Sequence, residues 1–259
     1  MRFTPQLRDL NWLVARPIAH RGLHNKKAII ENTESAFEAA IDADYAIECD
    51  LQLSADGEAM VFHDDEVERL TDTKGDVSSF TTKQLQKLKF NSTSDRMQTL
   101  DEMLEQVDGL STLVIELKSR WDGNMALVKR ALEVLENYDG PYALMSFDPG
   151  MIACARELAP HTVRGITADR TTDPYYNPLP VSQRVAMRNF AHLEKTQPHF
   201  VSYNWRDLPF EPMTEIRNAG HPVITWTLHS KEESSKALRY CDQITFEAAP
   251  SIRILPAIG

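Results

Sequence analysis

The strongest constraint on the fold is a regular alternation of apolar strands and amphipathic helices between residues 113 and 246. Six short apolar segments in this region are predicted strands, and all but the last are followed by a segment with helical spacing of apolar residues. Two earlier strands, one ending at His20 and one containing Glu48, bring the parallel candidates to eight. Repeating strand–helix units of this number predict a closed (β/α)₈ TIM barrel, with an open doubly wound sheet as the alternative.

The boundaries of these elements follow from the apolar pattern and the capping residues. The six later strands are predicted at residues 113–118, 142–147, 162–166, 200–204, 222–228 and 243–246. One helix is expected to turn Met125, Val128, Leu132 and Leu135 inward. Other helices are predicted at residues 34–41, 100–107, 181–195, 213–218 and 230–239, and one begins at Asp148-Pro149. Residues 169–180, which include three prolines, are a predicted loop.

A β-hairpin is predicted at Asp56-Gly57, because this dipeptide favours a two-residue turn between antiparallel strands. With Asp56 and Gly57 as the loop, Asp50 lies opposite His63. Opposed residues share a face, and Glu48 joins that face because strand side chains alternate. The turn therefore predicts a cluster of two carboxylates and one imidazole. A solvated sheet edge is the alternative, but the apolar residues around Glu48 and Asp50 favour a buried strand.

Residues 66–99 interrupt the alternation. They are rich in Thr, Ser, Asp and Lys, with Gly75 at a predicted turn, and we expect them to form a small insertion outside the barrel core. A chain of 259 residues fits one barrel, since such domains commonly contain about 250 residues. We therefore expect a single domain over residues 1–259, with this insertion after the hairpin.

Composition and charge argue against several classes of protein. The 38 acidic residues exceed the 28 basic residues by 10, so a nucleic-acid-binding surface is not expected. No apolar run approaches the roughly 18–20 residues that span a bilayer, and the first residues lack the apolar core of a signal peptide. Three cysteines without a spaced pattern argue against a disulfide framework or a zinc site. We expect a cytoplasmic protein, and the sequence leaves its oligomeric state open.

Charged side chains gather where three predicted strands end. In (β/α)₈ barrels the catalytic residues lie at the carboxyl ends of the strands. Each charged residue taken alone is compatible with a surface ion pair or a capping residue, but their common position favours one shared site. The residues at these ends are His20, Arg21, Glu48, Asp50, Glu116 and Lys118.

Three of these residues, Glu48, Asp50 and Glu116, are the predicted metal ligands. Carboxylates without a cysteine suit a hard divalent cation, Mg²⁺ or Ca²⁺, better than zinc. Three carboxylates and a divalent ion leave one negative charge, which Arg21 and Lys118 turn into one positive charge. The site therefore matches a singly charged anion such as a phosphodiester, whose oxygens Arg21 and Lys118 would bind.

Two histidines, His20 and His63, complete the predicted site, as an acid and a base suited to neutral pH. With these residues the sequence resembles the glycerophosphodiester phosphodiesterase family. The shared motifs follow the family order from residue 18 to about residue 228. They are His20-Arg21-Gly22, Glu31-Asn32-Thr33, Ile47-Glu48-x-Asp50, Asp56-Gly57, His63-Asp64, Glu116-x-Lys118, Ser146-Phe147-Asp148 and Trp226-Thr227.

This resemblance implies a TIM barrel with a small insertion after the hairpin. It implies hydrolysis of glycerophosphodiesters, such as glycerophosphocholine or glycerophosphoethanolamine, to glycerol 3-phosphate and an alcohol. It also implies a divalent metal on the three carboxylates, an acid–base pair in His20 and His63, and phosphate binding by Arg21 and Lys118. Trp226 is expected to stack on the glycerol, and a core position at the barrel rim is the alternative.

Two positions depart from the family pattern, and three alternative functions stay open. Ile30 stands where the family usually has Pro, and the C-terminal motif, usually Thr-Asp followed by Pro, reads Thr245-Phe246-Glu247 with Pro250 further on. A lysophospholipase D acting on lipids would show an exposed apolar patch beside the cavity. A metal-dependent lyase with Lys118 as base would not need the histidine pair. A non-catalytic phosphodiester-binding barrel would be expected to lack a ligand or a histidine.

Overall fold

The structure, a computed structural model, describes residues 6–25 and 27–247. Its strands are β1 (Ile18–Ala19), β2 (Ala46–Leu53), β3 (Ala59–Val61), β4 (Leu113–Leu117), β5 (Tyr142–Ser146), β6 (Arg164–Ala168), β7 (Phe200–Asn204), β8 (Val223–Leu228) and β9 (Gln243–Phe246). All except β3 are parallel and follow one another around a barrel, which closes because β1 pairs with both β9 and β2. The predicted (β/α)₈ TIM barrel is confirmed.

Helices cover the outside of the barrel and close one end. In the described residues they are α1 (Asn11–Val14), α2 (Glu34–Asp42), α3 (Thr82–Leu85), α4 (Leu100–Val107), α5 (Ala126–Leu135), α6 (Pro149–Leu158), α7 (Val181–Arg188), α8 (Leu193–Thr196), α9 (Glu211–Asn218) and α10 (Lys231–Ala237). Local capping fixes several starts: Thr99 accepts from the amide of Glu102, and Asp148 accepts from that of Gly150. Within the described chain, every helix is too short or too polar to cross a bilayer.

Two apolar layers hold the barrel together. Outward-facing strand residues such as Cys49 and Leu117 pack against the helices. Inside the barrel, apolar side chains near the amino ends of the strands fill the interior, and Leu13 of α1 packs against them. This inner set includes Ile18, Ala46, Val114, Ala143, Phe200 and Ile224. Polar residues at the carboxyl end therefore stand on a closed apolar floor.

The hairpin contains Asp56 and Gly57 as predicted, but the predicted register is wrong by one residue. The loop has three residues, 55–57, closed by a hydrogen bond from the amide of Ser54 to the carbonyl of Glu58 (2.9 Å). Gly57 takes the left-handed conformation (φ 86°) that such loops need at their last position. As a result Phe62, and not His63, is opposite Asp50, and its amide donates to the Asp50 carbonyl at 3.0 Å.

Other boundaries differ from the predictions for local reasons. The helix predicted at 181–195 is split into α7 and α8, because Phe190 between them adopts a left-handed conformation (φ 55°). The strand predicted at 162–166 starts at Arg164, since the amide of Thr162 closes a turn onto the carbonyl of Ala159. The buried face of α5 also differs from the predicted one and consists of Leu127, Val128, Ala131 and Leu135.

Residues 66–99 lie between β3 and α4 and have an apolar cluster of their own. They contain α3 and a short 3₁₀ turn at Val77–Ser79. Their buried side chains pack against Met60, Phe62 and Ile30, which belong to the barrel part of the chain; the cluster includes Val67, Val77, Leu85, Phe90 and Met97. This packing attaches the insertion beside the carboxyl end of β2.

Candidate active site

A cavity of about 690 Å³ opens at the carboxyl ends of the strands. It is lined by every residue that the sequence predicted for the site: His20, Arg21, Glu48, Asp50, His63, Glu116, Lys118 and Trp226. A larger surface depression of about 860 Å³ beside α4 and α5 contains none of them. Charged and imidazole groups from the ends of four strands, β1 to β4, thus meet in one place.

The three carboxylates of Glu48, Asp50 and Glu116 converge in this cavity, above the apolar floor of the barrel. Each offers one oxygen atom that lies within 4.8 Å of the other two, and all three residues are buried. The register explains the meeting, because Asp50 on β2 pairs directly with Glu116 on the adjacent parallel strand β4. Glu48 is two residues earlier on β2 and therefore shares their face. Three convergent carboxylate oxygens fit a hard divalent cation.

Neighbouring cations compensate these carboxylates unequally. Lys118 Nζ lies 2.9 Å from Glu116 Oε1 and 3.5 Å from Asp50 Oδ1. Although burial alone would raise the pKa of Asp50, the charges of His63, Lys118 and Arg21 hold it well below its ordinary value. Burial, together with the charges of Asp50 and Glu116, raises the pKa of Glu48 well above its ordinary value. The Glu48 side of the triad is therefore where a bound cation would relieve the most unfavourable charge.

Both histidines have a carboxylate on the same ring nitrogen. His20 Nδ1 lies 3.0 Å from Glu247 Oε1, and His63 Nδ1 lies 2.6 Å from Asp64 Oδ1. A carboxylate on Nδ1 favours the tautomer with the proton there, so Nε2 is the nitrogen that can accept a proton from a reactant. His20 Nε2 is 3.9 Å from Glu48 Oε2. Burial lowers the pKa of His20 to about 4.

Neither carboxylate was among the residues predicted for the site. Asp64 belongs to the His63-Asp64 motif, and its position directly after His63 is a signal that could have identified it. Glu247 belongs to the altered C-terminal motif and reaches His20 because β9 pairs with β1. The other part of that motif, Pro250, lies outside the described residues. His63 lines the cavity although its predicted pairing with Asp50 was wrong. Strand β3 ends at Val61, so His63, two residues later, lies beyond the strand and at the cavity.

A tight turn after β1 places Arg21 over the carboxylates. The backbone amide of Arg21 donates to Glu48 (2.9 Å), and its guanidinium donates to Glu31 (2.6 Å). Arg21 and Gly22 both have positive φ angles, 57° and 77°. A Cβ atom on Gly22 would lie 2.8 Å from the backbone of Ala36, so this turn requires glycine.

The Glu31-Asn32 segment, quoted from the sequence without a role, supports the site from the other side. Asn32 also adopts a left-handed conformation (φ 55°), and its side-chain Nδ2 donates to Asp50 Oδ2 at 2.9 Å. Its side-chain Oδ1 accepts from the backbone amide of Asp50 at 3.3 Å. This pair of hydrogen bonds fixes the orientation of one predicted metal ligand.

Aromatic rings form the opposite wall of the cavity. Phe147 meets Trp226 edge to face with ring centres 5.5 Å apart, and Tyr175 packs on Phe147 at the same distance. Tyr176 also lines the cavity. Trp226 is anchored by a hydrogen bond from its indole nitrogen to the carbonyl of Ser202 (3.2 Å). The two tyrosines come from the proline-rich 169–180 loop, in which no sequence pattern marked them.

Known proteins share both this sequence pattern and this fold. The sequence model of the glycerophosphoryl diester phosphodiesterase family matches residues 20–243. A glycerophosphodiester phosphodiesterase of Caldanaerobacter subterraneus subsp. tengcongensis is 33% identical over 233 residues, which is 86% of this chain and 89% of the relative.

Solved structures agree with the barrel. A glycerophosphodiester phosphodiesterase from Thermotoga maritima is 25% identical, with a TM-score of 0.69 over 88% of this chain and 92% of that chain. An Oleispira antarctica phosphodiesterase, solved in complex with its product sn-glycerol-3-phosphate, is 22% identical, with a TM-score of 0.74 over 88% and 91% of the two chains. Since the family match covers most of the chain, this protein is an enzyme that belongs to the glycerophosphoryl diester phosphodiesterase family.

Proposed function

We propose that this enzyme hydrolyses small glycerophosphodiesters, such as glycerophosphocholine or glycerophosphoethanolamine, to glycerol 3-phosphate and an alcohol. The reaction requires Mg²⁺ or Ca²⁺ held by Glu48, Asp50 and Glu116. The observation that carries the proposal is the convergence of these three carboxylates with two cationic side chains and two carboxylate-bound histidines in one cavity. The cytoplasmic location expected from the sequence stays a prediction.

Arg21 and Lys118 are the proposed phosphate ligands. The Nε atom of Arg21 is buried and has no hydrogen-bond partner among the described residues, although it lies 3.4 Å from Asp50 Oδ2. A phosphate oxygen would accept a hydrogen bond from this N–H group, and such charge-assisted hydrogen bonds are among the strongest in proteins. Lys118 adds a point charge from the neighbouring strand. When bound, the divalent ion supplies further stabilisation of negative charge on the phosphoryl oxygens.

His20 and His63 are the proposed acid–base pair. One Nε2 atom takes a proton from the attacking oxygen as its bond to phosphorus forms. The other histidine gives a proton to the alcohol oxygen as the phosphorus–oxygen bond breaks, so that the two histidines exchange roles in the reverse direction. Asp64 and Glu247 hold the rings in the tautomer that this task needs, and each stabilises the imidazolium that forms on its histidine.

Two relatives support the substrate class. The Caldanaerobacter protein, whose match covers most of both chains, carries the name glycerophosphodiester phosphodiesterase. The Oleispira phosphodiesterase was solved with sn-glycerol-3-phosphate as its product. In this chain, Arg21 and Lys118 would bind the anionic phosphate of the same product.

The alternatives have less support from the described residues. A lysophospholipase D would gain from an apolar patch of a few hundred Å² beside the cavity. The large apolar side chains that helix α7 exposes, directly after the cavity-lining 169–180 loop, are Val181 and Val185, one turn apart. A lyase would leave the two carboxylate-bound histidines without a task. A binding protein would not need the complete set of ligands and histidines.

The test measures glycerol 3-phosphate release from glycerophosphocholine and glycerophosphoethanolamine by the purified full chain. We expect activity with Mg²⁺ or Ca²⁺, its loss in EDTA, and its return when either ion is restored. His63→Asn should lower kcat by about 10²- to 10⁴-fold, the usual contribution of a general acid or base. The matched control, His161→Asn, changes an exposed histidine that does not line the cavity.

Three results would contradict parts of this proposal. Activity that persists in EDTA would overturn the metal assignment. Wild-type turnover by His63→Asn would remove that histidine from the reaction. Faster choline release from lysophosphatidylcholine than from glycerophosphocholine would favour the lysophospholipase D alternative.

A further inference from the structure

One arginine outside the cavity connects two of the proposed functional groups. Arg69 Nε donates to Asp64 Oδ2 at 2.5 Å, while its two terminal nitrogens donate to the carboxylate of Glu31 at 2.6 and 3.1 Å. Asp64 in turn holds His63 through its other oxygen, at 2.6 Å. The Glu31 oxygen that accepts the shorter Arg69 bond also accepts from Arg21, at 2.6 Å. A continuous chain of ion pairs therefore joins His63 to Arg21.

Arg69 belongs to the insertion and not to the barrel. It does not line the cavity, and its side chain is 45% exposed. Its position is nevertheless fixed, because Val67 is fully buried in the apolar cluster of the insertion and Leu70 packs against the same cluster. The carbonyl of Val67 also accepts hydrogen bonds from the amide and hydroxyl of Thr71. A packed segment thus presents the guanidinium to both carboxylates.

We propose that Arg69 is a positioning residue, which holds His63 and Arg21 in working orientation at the same time through Asp64 and Glu31. The inference rests on the proposed function of those two groups. It gives the 66–99 insertion a task in catalysis, because the insertion supplies the guanidinium that orders a proton-transfer group and a phosphate ligand.

The chemistry of the guanidinium explains why arginine is needed. Its planar fork offers two parallel donors to Glu31 and still directs Nε to Asp64, whereas a lysine ammonium is a single point charge. The Asp64 arm sets the tautomer of His63 and so bears on proton transfer. The Glu31 arm sets the direction of the Arg21 guanidinium and so bears on phosphate binding. Loss of Arg69 should therefore impair kcat and substrate binding together.

The experiment compares Arg69→Met and Arg69→Lys with a matched control, Arg96→Met. Arg96 is also an insertion arginine paired with one carboxylate, Glu102 at 2.9 Å, but it does not touch the site. We expect Arg69→Met to lower kcat/KM of glycerophosphodiester hydrolysis by about 10- to 100-fold, the usual effect of removing a residue that orients a ligand. Arg69→Lys should recover only a small part, and Arg96→Met should behave as wild type.

Two further variants separate the arms of the network and do not depend on how Arg69→Met folds. Asp64→Asn should lower kcat with little change in the inhibition constant of glycerol 3-phosphate. Glu31→Gln should weaken glycerol 3-phosphate binding more than it lowers kcat. A purely structural role would not produce this split. Circular dichroism and the melting temperature check that each variant is folded.

The proposal is overturned if folded Arg69→Met retains wild-type kcat/KM, or if Arg69→Lys restores full activity. It is also overturned if Asp64→Asn and Glu31→Gln both change kcat and glycerol 3-phosphate binding in the same proportion. Failure of the proposed function is a different result. In that case the wild type and Arg96→Met would also release no glycerol 3-phosphate in the presence of Mg²⁺ or Ca²⁺.

Discussion

Two buried glutamates show how neighbouring charges decide what a residue can do in this site. Glu31 is bound by Arg69 and Arg21, which outweigh the effect of burial and lower its pKa from 4.5 to about 2. Burial, together with the neighbouring charges of Asp50 and Glu116, raises the pKa of Glu48. The first glutamate is suited to holding cationic side chains in place, and the second to binding a metal ion. The sequence identified only the second role, because the role of Glu31 depends on an arginine 38 residues further along the chain.

The low pKa of Glu31 predicts how the free energy of unfolding depends on pH. Because the pKa in the folded state lies below the ordinary value of 4.5, Glu31 stabilises the fold fully above that pH and loses this contribution as the pH falls toward about 2. Glu31→Gln should therefore lower the free energy of unfolding by about 3 kcal/mol at neutral pH. Urea denaturation should show a clearly smaller difference at about pH 3.5.

A suitable control for this measurement is Glu136→Gln, which changes an exposed glutamate directly after α5. Its free energy of unfolding should follow the wild-type pH dependence. A difference between wild type and Glu31→Gln that stays constant from neutral pH to about pH 3.5 would contradict the ion-pair explanation.

At the scale of elements, strand alternation was the most informative sequence signal, and hairpin geometry was the least reliable. Alternation placed Glu48 and Asp50 on one face, and the parallel pairing of β2 with β4 brought Glu116 to them. The register of β3 could not be read from Asp56-Gly57, because both two- and three-residue loops use glycine with a positive φ. The apolar spacing also gave no sign that α7 ends before Phe190, which has a left-handed backbone and is buried in the apolar core.

The apolar floor of the barrel makes a prediction about one strand pair. Gly165 on β6 is the direct neighbour of Phe200 on β7, and a Cβ on Gly165 would lie 2.4 Å from the Phe200 ring. Gly165→Ala should overpack the floor and lower the free energy of unfolding by about 1–3 kcal/mol. In Gly165→Ala/Phe200→Leu, the smaller side chain relieves the clash, so the two changes should couple favourably by about 1 kcal/mol in a double-mutant cycle. Additive effects in urea denaturation would contradict this packing explanation.

At the scale of the molecule, the barrel could be predicted because its repeating units are local, whereas the connections around the site could not. Each strand–helix unit carries its own apolar spacing, and eight units allow few other closed arrangements. Glu247 and Arg69 reach the site from the last strand and from the insertion. Only the closure of β9 on β1 and the packing of the insertion on the hairpin bring them there. Such long-range contacts leave no spacing in the sequence.

The same long-range arrangement predicts that the proposed metal ion stabilises the whole barrel. The carboxylates belong to β2 and β4, so an ion that bridges them binds the folded chain and not the unfolded one. A ligand at about 100 times its Kd adds about 2.7 kcal/mol to the free energy of unfolding. For a chain of this size we expect Mg²⁺ or Ca²⁺ to raise the melting temperature by about 5–10 °C above its value in EDTA.

Glu48→Gln tests whether the charge of the three carboxylates affects the melting temperature with and without the metal ion. Removing one of three buried like charges should leave the melting temperature in EDTA equal to or above that of the wild type, because Glu48 is the carboxylate whose ionised form its neighbours disfavour. The same variant should lose most of the metal-induced rise, while Glu136→Gln should keep it. A full metal-induced rise in Glu48→Gln would place the ion elsewhere. A lower melting temperature in EDTA would mean that the ionised Glu48 stabilises the metal-free barrel, contrary to the repulsion argued from its burial beside Asp50 and Glu116.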